Sequence, residues 1–200
     1  MPRTKSFAPE HAVATAAQIF RVRGYGATSM GEIAYHVGIS RATLYATFDD
    51  KRSLFLRALR QSGQLFRTAG PPGLATASAP RDAIIDLFAS MGDLPTPPHV
   101  VLLMNASMEL PPQDWEVAAV VRDEFTAIED NIRRAIERGI AQGEIAGWVD
   151  ATHTAPTLLG LFLGLHLLRR SKAVVRATAD QVDALLPPPG RQPAPVLPPA

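Results

Sequence analysis

The decisive stretch of the sequence, residues 28–48, reads TSMGEIAYHVGISRATLYATF. Ser29 and Glu32 match the Ser-x-x-Glu capping box, in which each side chain satisfies a free backbone amide, so a helix is predicted to begin here. Gly38 is predicted to end that helix, because a tight turn favours a residue that adopts positive φ at low cost. Ser40 then caps a second short helix. The stretch therefore predicts a helix, a glycine turn and a helix in close succession.

The second of these helices, from Arg41 to Phe48, has two chemically different faces. Leu44 and Phe48 lie one turn apart and form an apolar anchor. The opposite face carries small or hydrogen-bonding side chains, which suit a helix that enters a DNA major groove about 12 Å wide. Unrelated helix pairs share this spacing, so the pattern alone leaves the function open.

DNA contacts can be assigned to this region by side-chain chemistry. Arg41 is predicted to contact a guanine edge, and Ala42 with the methyl group of Thr43 to contact a thymine methyl. Tyr45 and Lys51 suit phosphate oxygens. The N-terminus of the first helix suits another phosphate through side chains and amides. The predicted DNA contacts are Thr28, Ser29, Ser40, Arg41, Ala42, Thr43, Tyr45, Thr47 and Lys51.

The rest of the chain also has a helical pattern. It shows no sustained two-residue alternation, whereas several segments have apolar residues spaced by three and four. One such stripe predicts a helix from Pro9 to Arg23. Further helices are predicted at about 50–67, 81–91, 100–110, 114–141, 151–170 and 177–186, with breaks rich in Gly and Pro between several of them. The predicted fold class is all-α.

Composition limits the chemistry of the chain. Cysteine is absent, which excludes disulfides, thiolate metal sites and cysteine catalysis. Residues 1–60 hold nine Lys/Arg and four Asp/Glu, a balance of +5, whereas residues 61–200 hold eleven and fifteen, a balance of −4. A basic N-terminal segment favours a polyanionic partner, although chance on solvated faces explains it equally well. Residues 1–10 have no apolar run typical of a signal peptide, so a cytoplasmic location is expected.

The order of residues in the N-terminal part resembles the tetracycline-repressor (TetR) family over about residues 10–60. The matching segments are Ala17-x-x-Phe20-x-x-x-Gly24, Thr28-Ser-Met-Gly-Glu-Ile33-Ala34, Val37-Gly38-Ile39-Ser40, Thr43-Leu44-Tyr45 and Phe48-x-x-Lys51-x-x-Leu54. The run from Leu102 to Leu110 is similar to a subgroup of the family's C-terminal domains. One departure is Thr47, which stands where many members have histidine or another large polar side chain.

The resemblance implies a three-helix helix-turn-helix DNA-binding domain at 1–50 and a helical effector-binding and dimerisation domain at 51–187. A Pro-rich tail at 188–200 is predicted to be disordered. The implied function is that of a transcriptional regulator, a repressor that binds a pseudo-palindromic double-stranded DNA operator as a homodimer and is released by a small effector. No cofactor is expected. An activator or effector-independent regulator of the same fold is the alternative.

Large apolar side chains between Gln61 and Leu168 are more numerous than one dimer seam requires. They predict a pocket for an apolar or aromatic effector, with an ordinary core as the alternative. Asn105 is an amide in an apolar run and needs a partner, either a ligand or a backbone group at a helix kink. The predicted ligand contacts are Phe66, Phe88, Met91, Met104, Asn105, Met108, Phe125 and Phe162.

The segment from Thr154 to Leu168 is almost uncharged. It is shorter than the roughly twenty residues of a membrane span, so no membrane partner is expected. Gly160 and Gly164 would allow close approach of a second helix. Together with residues 177–186 this segment predicts the dimer seam, and burial inside one subunit is the alternative.

Two other function classes, an enzyme and a protein-binding adaptor, are the alternatives to a regulator. For an enzyme, the five histidines are scattered, Asp150 and His153 offer only two metal ligands, and no Gly-rich phosphate loop is present. A helical adaptor that binds only protein would show no salt-sensitive affinity for duplex DNA.

Overall fold

The computed structural model describes residues 8–69, 74–89, 98–110, 114–170 and 178–191. Within these ranges the chain forms helices and no strands, which confirms the all-α fold class. The helices are α1 (Pro9–Arg23), α2 (Met30–Val37), α3 (Arg41–Phe48), α4 (Lys51–Ala69), α5 (Pro80–Ala89), α6 (Pro98–Glu109), α7 (Trp115–Ala141), α8 (Ala151–Arg170) and α9 (Thr178–Leu185). Their bounds lie close to those predicted from the sequence.

Proline begins three of these helices, at Pro9, Pro80 and Pro98. The first position of a helix has no intrahelical partner for its amide, and the proline ring already holds a helical φ. Asp50 caps α4, since its Oδ1 accepts a hydrogen bond from the Ser53 amide at 2.7 Å. The local sequence therefore sets where the helices begin.

The chain divides into two compact units. Unit 1 comprises the described residues within Met1–Thr68 and Thr96–Phe125, and unit 2 those within Ala69–Pro95 and Thr126–Ala200. These limits differ from the predicted division at residue 50, because α4 and α6 supply side chains to the same buried core as α1, α2 and α3.

The core of unit 1 is aromatic at its centre. The Phe20 and Phe55 rings meet edge to face with centroids 4.9 Å apart, and Tyr25 meets Phe55 at the same distance. Leu102 and Leu103 of α6 complete this cluster. Full burial of one such side chain stabilises a fold by about 1.5–3 kcal/mol, so α6 is fixed firmly against the N-terminal helices.

Unit 2 joins α5 to α9 through Arg81. Its guanidinium donates to the Leu186 carbonyl at 2.8 Å and pairs with Asp183. Elsewhere in this unit the Phe162 ring contacts both Phe88 and His166 edge to face, with centroids 6.2 and 4.5 Å away. Unit 2 therefore contains a cluster of aromatic rings and, separately, the polar contacts of Arg81 that connect α5 to α9.

Part of the predicted disordered tail is ordered. The Trp148 indole donates to the Arg191 carbonyl at 3.0 Å, and the Arg191 amide contacts the Pro188 carbonyl at 3.3 Å. The disorder predicted from residue 188 onwards is therefore wrong for residues 188–191, because a distant aromatic side chain holds them. The rest of the tail lies outside the described residues.

Candidate nucleic-acid interface

The helix α3 has one buried face, which packs on the core, and one exposed face. Leu44 is fully buried and Phe48 is 2% exposed, which confirms the predicted apolar anchor. Tyr45 is 41% exposed on the other side of the helix. Arg41, Ala42 and Thr43 are exposed as well. The helix therefore presents a row of polar and small side chains on a rigid support.

The turn that orients α3 is built from local hydrogen bonds. Ser29 Oγ accepts from the Glu32 amide at 3.1 Å, and Ser40 Oγ accepts from the Thr43 amide at 3.0 Å. Gly38 adopts a left-handed conformation with φ of +77° and donates to the Ala34 carbonyl. The predicted caps and glycine turn are confirmed.

One half of the predicted capping box takes a different form. The Glu32 carboxylate contacts the guanidinium of Arg23 at 2.9 Å, so it pairs with the last residue of α1. Sequence reasoning assigned this carboxylate to the Ser29 amide. A cation on a neighbouring helix competes for the same oxygen, and such a partner is invisible to a four-residue motif.

The Arg41 side chain lies across the first turn of α2. A Cβ atom built on Gly31 would lie 3.5 Å from Arg41 Cδ, 3.6 Å from Arg41 Nε and 3.8 Å from Ser29 Oγ. The guanidinium group thus lies near the N-terminus of a helix, where free amides and the helix dipole already favour an anion. The free amides of this turn are therefore suited to a phosphate, and Arg41 lies next to them.

The side chain of Lys51, the first residue of α4, lies against the loop between α1 and α2. Its Nζ donates to the carbonyls of Tyr25 and Thr28 at 2.9 and 3.0 Å and lies 4.3 Å from the centre of the Tyr25 ring. An ammonium group has three donors, so two are occupied here. Lys51 therefore has a structural role that its chemistry alone did not reveal.

Two predicted DNA contacts need correction. Thr28 is 2% exposed and its hydroxyl donates to the Gly24 carbonyl at 2.7 Å, so its side chain closes the loop and is not available to a phosphate. The Thr47 hydroxyl donates to the Thr43 carbonyl at 2.9 Å, within the helix. Small hydroxyl side chains on helices and turns readily bond to nearby backbone carbonyls, which explains both cases.

The family is decided by two matching sequence profiles. The profile described as "Bacterial regulatory proteins, tetR family" matches residues 12–58, and "Tetracyclin repressor-like, C-terminal domain" matches residues 80–185. The chain belongs to the TetR family. It is therefore a DNA-binding transcriptional regulator with an N-terminal helix-turn-helix.

Relatives within the TetR family agree with this assignment. The HTH-type transcriptional regulator YezE of Bacillus subtilis (strain 168) is 28% identical over 190 residues, covering 93% of this chain and 98% of the relative. The HTH-type transcriptional repressor ComR of Escherichia coli (strain K12) is 26% identical over 175 residues, covering 86% and 83%. The similarity thus extends over both parts of the chain.

A solved TetR-family structure shares the fold. A cysteine mutant of the regulator CifR, complexed with 26-bp double-strand operator DNA, superposes with a TM-score of 0.68 and 24% identity, covering 92% of this chain and 95% of CifR. At this identity the likeness concerns the fold alone.

Asn105, which we predicted as a ligand contact in this TetR-family chain, contacts backbone instead. Its Nδ2 donates to the carbonyl of Arg21 near the end of α1 at 3.0 Å. One turn further along α6, Glu109 Oε2 accepts from the amides of Tyr25 and Gly26 at 2.7 and 3.2 Å. Sequence reasoning missed Glu109, although two polar residues four apart in an apolar helix are a signal for it.

The other predicted ligand contacts have varied surroundings. Met108 is 56% exposed, so it does not line an enclosed cavity in unit 1. Met104 is buried in unit 1, where Phe125 packs against the core. Phe88 and Phe162 pair in unit 2. Met91 and the side chain of Phe66 lie outside the described residues.

Two acidic residues near the start of α7, Asp114 and Glu116, form ion pairs with Arg52 and Arg60 of α4. The Arg52 guanidinium donates two hydrogen bonds to the Asp114 carboxylate, at 2.9 and 2.6 Å. These bonds lower the pKa of Asp114, and the hydrogen bond from Arg60 lowers the pKa of Glu116, with Arg52 contributing further. The charge of Arg52 is therefore paired with the carboxylates of Asp114 and Glu116.

The helix α8 has an open face. Among the described residues, no atom lies within 4 Å of a Cβ built on Gly160 or Gly164, and Leu167 and Leu168 are 50% and 47% exposed. Among the described residues α8 is the one helix long and apolar enough to cross a membrane, over the 18 residues Ala151–Leu168. The segment is therefore longer than the 15 residues on which the argument against a membrane span was based. Core helices of soluble proteins can be equally long and apolar.

The first turn of α8 explains the Asp150 and His153 pair. Asp150 Oδ1 accepts from the Thr152 amide at 2.8 Å, and Asp150 Oδ2 lies 2.7 Å from His153 Nδ1. The hydrogen bond with His153 is the largest cause of a lowered pKa for Asp150. These two residues cap a helix, which is a sufficient account of their spacing.

Proposed function

We propose that this TetR-family regulator is a repressor that binds a pseudo-palindromic operator as a homodimer and leaves it when a small effector binds. The observation that carries the DNA part is the exposed face of α3 above the buried Leu44 and Phe48. The repressor direction is supported by the name of ComR, and an activator of the same fold would use the same DNA surface.

The proposed DNA contacts divide into base and phosphate contacts. Arg41 and the small residues Ala42 and Thr43 are suited to base edges, because they lie exposed on the first turn of α3. Tyr45 and the Ser29 end of α2 are suited to phosphates. Ser40 is exposed but its hydroxyl caps α3, so a contact by Ser40 would be secondary. Lys51 retains one donor for a phosphate.

DNA binding is tested by fluorescence anisotropy with a duplex selected by the full chain from a random pool. We expect affinity to fall steeply with salt, since counterions are released for each neutralised phosphate. Tyr45→Ala should weaken binding to all duplexes, whereas Arg41→Ala should cost about 1–3 kcal/mol mainly at one base pair. Tyr35→Ala is the matched control, because Tyr35 is a tyrosine on α2 that is 82% exposed and lies outside the proposed contacts.

Three outcomes would contradict parts of this proposal. A wild-type chain with no salt-sensitive affinity for any duplex would favour a protein-binding adaptor. Equal losses for Arg41→Ala on every sequence would move Arg41 from base reading to phosphate contact. A selected site without two inverted half-sites spaced by one turn of DNA, roughly 34–36 Å, or by a multiple of it would contradict the symmetric dimer.

The homodimer is proposed to form through α8 and α9. The face of α8 with Gly160, Gly164 and Leu167 is apolar and has room for a second helix. Sedimentation equilibrium tests this. Leu167→Glu should shift the chain towards monomer, whereas Thr152→Glu, an exposed position near the start of α8, should leave the dimer unchanged. A Leu167→Glu variant that remains dimeric would refute the α8 interface.

The effector is proposed to be small and apolar or aromatic, and the protein cytoplasmic. The support is the cluster of Phe88, Phe162 and His166 in unit 2, whose rings meet edge to face. Thermal shift with a panel of aromatic compounds identifies candidates, and a true effector must also release the operator duplex. A compound that stabilises wild type and Phe162→Ala equally does not bind at this cluster.

A further inference from the structure

The loop between α1 and α2 is held by two side chains of opposite charge. Glu109 of α6 accepts hydrogen bonds from the amides of Tyr25 and Gly26 through a single oxygen, at 2.7 and 3.2 Å. Lys51 of α4 donates to the carbonyls of Tyr25 and Thr28. The anion satisfies backbone donors and the cation satisfies backbone acceptors of the same short segment.

Besides the contact of Glu109 with the loop, the helix α6 makes a second contact, with the end of α1. Asn105 lies one turn before Glu109 and donates to the Arg21 carbonyl. Between these two contacts lies Gly24, with φ of +82°, where a Cβ would stand 2.3 Å from Glu109 Oε1. The carboxylate therefore occupies the space that any side chain at residue 24 would need.

This loop leads directly into the N-terminus of α2. Thr28, the last residue held by Lys51, is followed by Ser29, whose hydroxyl caps α2. The Ser29 hydroxyl and the Arg41 side chain both lie close to Gly31 in the first turn of α2. A shift of the loop would move the cap and the first amides of α2 together. A phosphate contact at the N-terminus of α2 depends on the direction in which these amides point.

We propose that Glu109 is a positioning residue for DNA binding. By holding the amides of Tyr25 and Gly26 it fixes the loop that aims the N-terminus of α2 at a phosphate. The proposal rests on the DNA contacts given under the proposed function. It assigns to α6 a direct part in the shape of the DNA-binding surface, although Glu109 itself does not touch DNA.

The test compares Glu109→Ala, Glu109→Gln and the control Met108→Ala in the full chain. Met108 is a neighbouring, exposed residue of the same helix. The probe is a fluorescein-labelled 30-bp duplex of mixed sequence, since the contact concerns phosphate and not bases. We expect Glu109→Ala to bind roughly tenfold more weakly, which corresponds to about 1.4 kcal/mol. Glu109→Gln keeps an acceptor oxygen and should be intermediate.

The salt dependence separates positioning from folding. Loss of one phosphate contact per DNA-binding domain should lower the slope of log K against log salt by about 0.9 for each contact. A variant that is merely less folded would show a smaller active fraction with an unchanged slope. Circular dichroism at the assay temperature gives the folded fraction of each variant.

The outcomes are distinct. Wild-type-like affinity and slope in Glu109→Ala would overturn the proposal, and so would an equal loss in Met108→Ala. If Glu109→Ala does not fold, Glu109→Gln decides, and an unchanged slope with weaker binding refutes positioning. Failure of the wild-type chain to bind duplex DNA would instead refute the proposed function.

Discussion

Replacing Gly24 by alanine is expected to lower the free energy of unfolding by about 3 kcal/mol. Gly24 follows α1 with φ of +82° and ψ of 170°, a conformation that only glycine adopts easily. A Cβ atom at this position would also lie 2.3, 2.6 and 2.7 Å from the three carboxylate atoms of Glu109. The substitution therefore strains the backbone and displaces a neighbouring charge.

The magnitude has two parts. A residue forced into this region costs about 1–3 kcal/mol, for which we take 2. A displaced carboxylate loses its hydrogen bonds from Tyr25 and Gly26, and these are solvent-exposed, so about 1 kcal/mol is appropriate. For a chain of this size the melting temperature should fall by about 6–12 °C.

Urea unfolding followed by circular dichroism measures the change. Gly26→Ala is the matched control, because no atom of the part of the chain that the structure describes lies within 4 Å of a Cβ built there, and its effect should stay within about 0.5 kcal/mol. In a Glu109→Ala background the cost of Gly24→Ala should fall by about 1 kcal/mol, since the displaced carboxylate is gone. Equal costs in both backgrounds would refute the part of the reasoning that concerns Glu109.

Three further substitutions test other features. Asp49→Gly should raise stability by about 1 kcal/mol in urea unfolding, because Asp49 has φ of +60° in a turn closed by the Asp50 amide and the Phe48 carbonyl, and Asp49→Ala should give no such gain. Gly63→Ala should cost about 1–3 kcal/mol, since a Cβ would lie 2.0 Å from Cδ of the buried Glu124; a neutral effect would contradict this packing. Burial lowers the pKa of His99 from 6.5 to about 4. Stability should therefore be fully present above pH 6.5 and fall between pH 6.5 and 4, by about 1–2 kcal/mol after solvent screening, and His99→Gln should flatten this decline.

Local features of the DNA-binding region were predictable from the sequence. Ser29 and Ser40 cap their helices through atoms three residues away, and Gly38 adopts the left-handed turn expected of it. The Leu44 and Phe48 anchor follows from helical spacing. These interactions depend on a few consecutive residues, so the pattern alone defines them.

Contacts between distant segments could not be predicted in the same way. Lys51 bonds to backbone 23 and 26 residues away, and Glu109 to backbone 83 and 84 residues away. Such bonds depend on how α4 and α6 pack against the N-terminal helices, and the spacing of Lys51 and Glu109 along the chain does not say which distant backbone groups they reach. Asn105 shows the limit well: its need for a partner was evident, but the choice between a ligand and the Arg21 carbonyl required the fold.

The division of labour within α3 has an evolutionary consequence. Leu44 and Phe48 hold the helix, whereas Arg41, Ala42 and Tyr45 lie outside and carry little of the folding energy. Mutations of these outer residues can accumulate without unfolding the protein. After gene duplication, a copy of this regulator could therefore acquire a new target sequence through a few substitutions while the scaffold stays intact.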